Sequence, residues 1–203
     1  MPPALGGKGV FMDSMLKEFP YAKHLEEGLC KVAGLESTLV RWRGYPGWTS
    51  SALLNDGGLG SILDGIHSKL NSKVDLVIIL GGTNDLAYGR EAQEIFNDLI
   101  GLHQEAHSKG CKTIALSIPT SGWQAKSESA KMLAGSVNAK LESLINSTGD
   151  RKMTFVPFPV ESFDPGSGMW SPDGLHFSAD GYEFIGKSLV SHVSHILTTR
   201  AGD

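Results

Sequence analysis

The chain has 203 residues, and its 18 Lys and Arg stand against 22 Asp and Glu for a formal net charge of −4. That length suits one domain, residues 1–203, able to bury roughly 70% of its unfolded surface. The charges mix without long blocks, which argues against nucleic acid or an anionic membrane as partner, and no apolar run approaches the ~20 residues that span a bilayer.

The amino terminus, MPPALGGKGVFMDSML, lacks the basic start and long apolar stretch of a signal peptide, so a cytoplasmic location is expected. Residues 9–12 read as a first strand, followed by a loosely amphipathic helix carrying Leu16, Phe19, Leu25 and Leu29. Residues 38–42 read as a second strand. The stretch 51–70 looks helical, although Gly57, Gly58, Gly60 and Gly65 weaken it. The third strand, 74–80, is the clearest, because a continuous apolar run suits a strand covered on both faces. Ile95, Leu99, Leu102 and Ala106 then mark a helix at near-ideal spacing.

A fourth strand is expected over 113–118, and a helix after it carries Met132, Leu133, Val137, Leu141, Leu144 and Ile145. The fifth strand covers 153–158. A last helix carries Ile185, Leu189, Val193 and Ile196, with Asp180 and Glu183 giving a start like a capping box. Five β-α units in sequence imply an α/β fold of three layers, flavodoxin-like, with a five-stranded parallel sheet and helices on both faces. Cys30 and Cys111 lie in mixed apolar segments and are expected as buried free thiols, and no zinc spacing exists.

Ligands of open α/β sheets bind beyond the carboxyl ends of the strands. Those positions carry Met12-Asp13-Ser14-Met15, Gly44-Tyr45-Pro46-Gly47-Trp48-Thr49, Gly81-Gly82-Thr83-Asn84-Asp85 and, after the fifth strand, Ser171-Pro172-Asp173-Gly174-Leu175-His176. A serine, a glycine, an asparagine and an Asp/His pair are the parts of a serine hydrolase. Pro172 and Gly174 discourage helix, so Asp173 and His176 share a compact turn. A phosphate-binding glycine turn remains the other reading of LGGTND, although it lacks a Walker lysine.

Together these stretches resemble the SGNH hydrolases, also called GDSL-type esterases and lipases. LGGTND and DGLHFSADGY are close to two of the family's blocks, and RGYPGWTSSAL resembles a third. FPYAKHLEEGL is similar to the helix after the nucleophile. The first block departs, reading M-D-S-M where the family has G-D-S-L, so Met12 stands in place of a glycine and the glycine-bearing turn after it is absent.

The resemblance implies an ester hydrolase working through an acyl-serine, on a small-molecule ester and without metal or organic cofactor. It implies Ser14 as nucleophile, His176 as general base and Asp173 as the partner fixing the imidazole tautomer. Ser14 and Gly47 would give backbone N–H groups, and Asn84 its side-chain amide, to the developing oxyanion. Asp85 is expected to hold the loop by hydrogen bonds. Tyr45, Pro46, Trp48, Trp123 and Trp170 are candidate pocket residues. Met12 keeps a second reading open, a catalytically impaired relative that binds ligands or protein. The pairs His103/His107 and His192/His195 are expected on solvated helix faces, because no acidic or cysteine ligands accompany them.

Overall fold

The apolar run after Lys73 becomes strand β1 (Leu76–Ile79) in the computed structural model, which describes residues 20–70, 73–149 and 151–199. In chain order the elements are α1 (Tyr21–Leu29), α2 (Ser50–Asp56), α3 (Leu59–Leu70), β1, a 3-10 turn (Asn84–Ala87), α4 (Ala92–Ser108), β2 (Lys112–Leu116), α5 (Glu128–Thr148), β3 (Met153–Val156) and α6 (Ala179–Thr198). They fall into two compact units, residues 20–42 with 164–199, and residues 43–163. No described helix is long and apolar enough to cross a membrane.

In the unit of residues 43–163 the three strands pair in parallel in the order β1-β2-β3. Leu76 lies opposite Lys112, and Thr113 opposite Met153. Thr113, Ile114, Ala115 and Leu116 of the middle strand are all buried, as a strand with a neighbour on each side requires. Ile95, Leu99 and Leu102 of α4 share a core with Ala134, Val137 and Leu141 of α5, so the 3.6-residue periodicity read from the sequence is the buried face. Met132 is the exception, standing exposed in the first turns of α5.

The expected five-stranded sheet needs correction. Three strands are present among the described residues, and the first expected strand, 9–12, lies outside them. Residues 38–42 form no strand. Their alternating apolar residues mimic one, but Leu39 and Trp42 are exposed and the Val40 N–H donates to the Glu26 carboxylate at 2.6 Å instead of to a neighbouring strand. The helix expected over 51–70 is two helices, α2 and α3, broken at Gly57 and Gly58.

In the other unit α1 packs on α6, burying Ala22, Leu25 and Leu29 along with Ile185, Leu189 and Val193. Burial, reinforced by the neighbouring Tyr182, pushes the Tyr21 phenol up to about 12. Helix α6 does not start on a capping box from Asp180. Its N-cap is Ser178, whose Oγ accepts from the Gly181 N–H at 3.0 Å and donates to the Gly168 carbonyl at 2.6 Å. Glu183 pairs instead with Lys187 one turn on.

Candidate active site

The loop leading into α6 is built to hold two side chains. Trp170 and Phe177 form an antiparallel bridge, their rings 4.3 Å apart, and the Ser171 N–H donates to the His176 carbonyl at 2.8 Å. Inside that closure Pro172 and Asp173 turn the chain, with the Gly174 N–H bonded back to the Ser171 carbonyl at 2.9 Å. Gly174 takes a φ of 66°, where a side chain would be strained.

Asp173 Oδ2 meets His176 Nδ1 at 2.7 Å. Asp173 Oδ1 accepts the N–H groups of Leu175 at 2.8 Å and His176 at 2.9 Å. Burial pushes the Asp173 carboxyl up, but the imidazole and these two N–H groups outweigh it and hold the group below the ordinary carboxylate range. The carboxylate therefore faces Nδ1, and Nε2 has no protein partner among the described residues. An imidazole held this way can take a proton at Nε2 with its positive charge stabilised from the other side.

In the other unit, Tyr45-Pro46-Gly47-Trp48 form a turn closed by the Trp48 N–H on the Tyr45 carbonyl at 3.2 Å. Gly47 has a φ of 78°, the value demanded at the third position of a type II turn with proline second. The turn is fixed by the rings of Tyr45 and Trp48, 4.8 Å apart, and by the Tyr45 hydroxyl donating to the Gly57 carbonyl at 3.0 Å. Asn84 opens the 3-10 turn after β1 and donates Nδ2–H to the Trp48 carbonyl at 2.8 Å, leaving its second amide hydrogen for another acceptor. Asp85, wholly buried, accepts the Ser50 N–H at 2.8 Å and the Ser50 hydroxyl at 2.8 Å. Adjacent residues of one segment thus grip two residues of the other, Trp48 and Ser50, on either side of Thr49.

Of the residues singled out in the sequence, the structure brings together Asp173 with His176, and Asn84 with the backbone beside Gly47. Ser14, with Met12 and Asp13, lies outside the described residues. Trp123 is exposed and Trp48 half-buried, whereas Trp170 is buried against Phe177. His103 departs from the expected solvated face: it is 2% exposed, and burial, with a smaller contribution from His107, lowers its pKa to about 3. His107 is half-buried, its Nε2 at 2.9 Å from the Thr113 hydroxyl. Cys111 is buried and free, and Cys30 is free but only half-buried. No described group of three His, Cys, Asp or Glu side chains is gathered to hold a metal.

Sequence reading missed Ser50, Arg90 and Asp98. Arg90 Nη1 lies 2.7 Å from both Asp85 Oδ1 and Asp98 Oδ2, and 3.0 Å from Ser50 Oγ. Burial disfavours the Arg90 charge, yet hydrogen bonds and attraction from Asp98 and Asp85 outweigh that and raise its pKa. The only signal in the sequence is Arg90 standing five residues after Asp85.

Among solved structures the chain is similar in fold to a carbohydrate esterase of family 3 from Talaromyces cellulolyticus, with a TM-score of 0.61, 16% identity, and coverage of 90% of this chain and 93% of that one. The aryl esterase of M. smegmatis gives 0.59 at 19% identity, over 87% of this chain and 85% of that one. A GDSL-like lipase from Bacteroides thetaiotaomicron gives 0.54 at 23% identity, over 75% and 74%. At these identities the likeness concerns the fold. No curated protein matches the sequence. The sequence model of the GDSL-like Lipase/Acylhydrolase family, however, matches residues 12–184, a span that runs from Met12 to beyond His176. With that match over a parallel α/β fold, the chain belongs to the GDSL-like lipase/acylhydrolase family of ester-bond hydrolases.

Proposed function

We propose that this protein, as one domain, hydrolyses carboxylic esters of small molecules through an acyl-serine intermediate, with Ser14 as nucleophile. Ser14 Oγ attacks the ester carbonyl as His176 Nε2 takes its proton, and Asp173 stabilises the imidazolium through Nδ1. The charge that gathers on the carbonyl oxygen is met by the N–H groups of Ser14 and Gly47 and by Asn84 Nδ2. Collapse breaks the ester C–O bond, and the alcohol leaves with the proton from His176. Water, deprotonated by His176, then attacks the acyl-serine, and the carboxylic acid departs as Ser14 regains its proton. No step of this cycle calls on a metal or an organic cofactor.

The observation that carries the reading is the Asp173–His176 pair. One carboxylate oxygen is on Nδ1 and the other is fixed by two backbone N–H groups, so the tautomer with a basic Nε2 is favoured. Met12 is where this chain departs from the family's glycine, and the reading asks of that stretch only the Ser14 N–H and Oγ. The test is hydrolysis of p-nitrophenyl acetate by Ser14→Ala, His176→Ala and the double variant. Each single change should lower kcat by up to ~10⁶, and the pair should be little worse than either. A folded Ser14→Ala protein with parental activity would refute the nucleophile, and losses that multiply would refute a shared proton-transfer unit.

A further inference from the structure

The Arg90 cluster takes no part in the proposed cycle, yet it sits directly behind two of the groups that cycle uses. We propose that Arg90 is a positioning residue that fixes the oxyanion donors, Gly47 and Asn84, relative to one another. The inference rests on the donor role of those two residues.

Three facts support it. First, the two donor segments are joined at two adjacent points: Asn84 Nδ2 on the Trp48 carbonyl and the Ser50 N–H on Asp85 Oδ2, both at 2.8 Å. Any shift of Asp85 is therefore transmitted to Asn84 on one side and to the Trp48-Gly47 backbone on the other.

Second, Asp85 cannot hold that place unaided. Ser50 Oγ is within hydrogen-bond distance of two carboxylates, Asp85 at 2.8 Å and Asp98 at 3.1 Å, and it has one hydrogen to give. Asp85 and Ser50 are both wholly buried and the Asp98 side chain is only 18% exposed, so solvent screens the two like charges poorly. Arg90 is the cation between them, with Nη1 at 2.7 Å from each carboxylate. Without it the two carboxylates would repel across one hydroxyl, and that repulsion would loosen the hold of Asp85 on the Ser50 amide.

Third, Arg90 is placed to act on geometry more than on the fold as a whole. Its side chain is 20% exposed, and its outer contact, Nε to Glu94 at 3.9 Å, is long and at the surface. Oxyanion donors work only if already aimed, and a misplacement of about 1 Å can cost ~10² in rate. An arginine that holds the aim should therefore appear in turnover before it appears in substrate affinity.

The experiment is a kinetic cycle on p-nitrophenyl acetate with the full chain, using Asn84→Ala, Arg90→Met and the double variant. Arg90→Met should lower kcat ~10- to 100-fold with KM within about twofold. In the Asn84→Ala background the same change should cost no more than about threefold, because the donor it aims is already gone. Adding Asp98→Asn to Arg90→Met should restore most of the lost kcat, since the repulsion is removed with the cation. Should Arg90→Met not fold, the cycle is run with Arg90→Lys, whose single nitrogen carries three donors and keeps the charge; it should lower kcat ~3- to 10-fold in the parent and leave Asn84→Ala nearly unchanged. Parental kcat in the folded Arg90 variant, or losses that multiply with Asn84→Ala, would overturn the proposal while leaving the donor reading intact. Parental kcat in Asn84→Ala would overturn the donor reading itself, and the Arg90 role with it.

Discussion

His103 makes this protein acid-sensitive in a way that can be worked out in advance. The unfolded chain carries an ordinary imidazole with a pKa of 6.5, whereas the folded chain holds His103 at about 3. Between those values the unfolded state binds a proton that the folded state refuses, so stability rises with pH and is lost as pH falls below 6.5. At pH 5 the gap is about 1.5 units below the unfolded value, and each unit is worth about 1.4 kcal/mol, giving a loss of about 2 kcal/mol. The figure does not depend on the folded value so long as that stays well under about 5. In a domain of this size it corresponds to roughly 4–8 °C in Tm.

The perturbation is His103→Leu, which removes the titrating ring from a site where its Nδ1 has no hydrogen-bond partner among the described residues. Urea unfolding of parent and variant at about pH 7.5 and pH 5 measures the difference. The variant should lose about 2 kcal/mol less than the parent between the two conditions. Equal losses would refute the reasoning and place an ionisable, solvated imidazole at residue 103.

Gly47→Ala should lower stability by about 1–2 kcal/mol and kcat at least about tenfold, through backbone strain at positive φ, since the added Cβ would meet open space. Gly44→Ala, also into open space but without the positive φ, is the control in the same melting and kinetic assays, and equal effects at both positions would remove the argument from conformation. Asp173→Asn should reduce kcat by ~10²–10⁴ while His176→Ala activity is unaffected by adding it. Because the Asp173 carboxyl is held low in the folded state, its stabilising contribution is complete above about pH 4 and fades as pH falls through its lowered value. Acid titration of stability should thus be shallower below about pH 4 in Asp173→Asn than in the parent.

What the sequence disclosed follows the range of the interactions involved. The Asp173–His176 pair was legible because its turn is local: Pro172 and Gly174 mark it, and every bond of the carboxylate stays within three residues. Strands β1 to β3 and helices α4 to α6 were legible because apolar periodicity sustained over a whole strand or several helical turns seldom arises by chance. Residues 38–42 were not, since alternation reports a half-covered strand only where a partner strand exists, and Val40 bonds to Glu26 instead. His103 was misread because the inward arc of α4 is wide enough to take Leu99, Leu102, His103 and Ala106 together. The cluster of Ser50, Asp85, Arg90 and Asp98 was invisible in part because its members meet only when two segments fold against each other, and Asp85 alone suggested a structural role.

The central claim is that Ser14, in the stretch M-D-S-M, is the nucleophile served by His176. Intact mass after treatment with a fluorophosphonate, followed by peptide mapping, tests it most directly. The account predicts a single adduct on Ser14 in the parent, none in Ser14→Ala, and labelling slowed by orders of magnitude in His176→Ala. A stoichiometric adduct on another serine, or undiminished labelling of the His176→Ala protein, would contradict it.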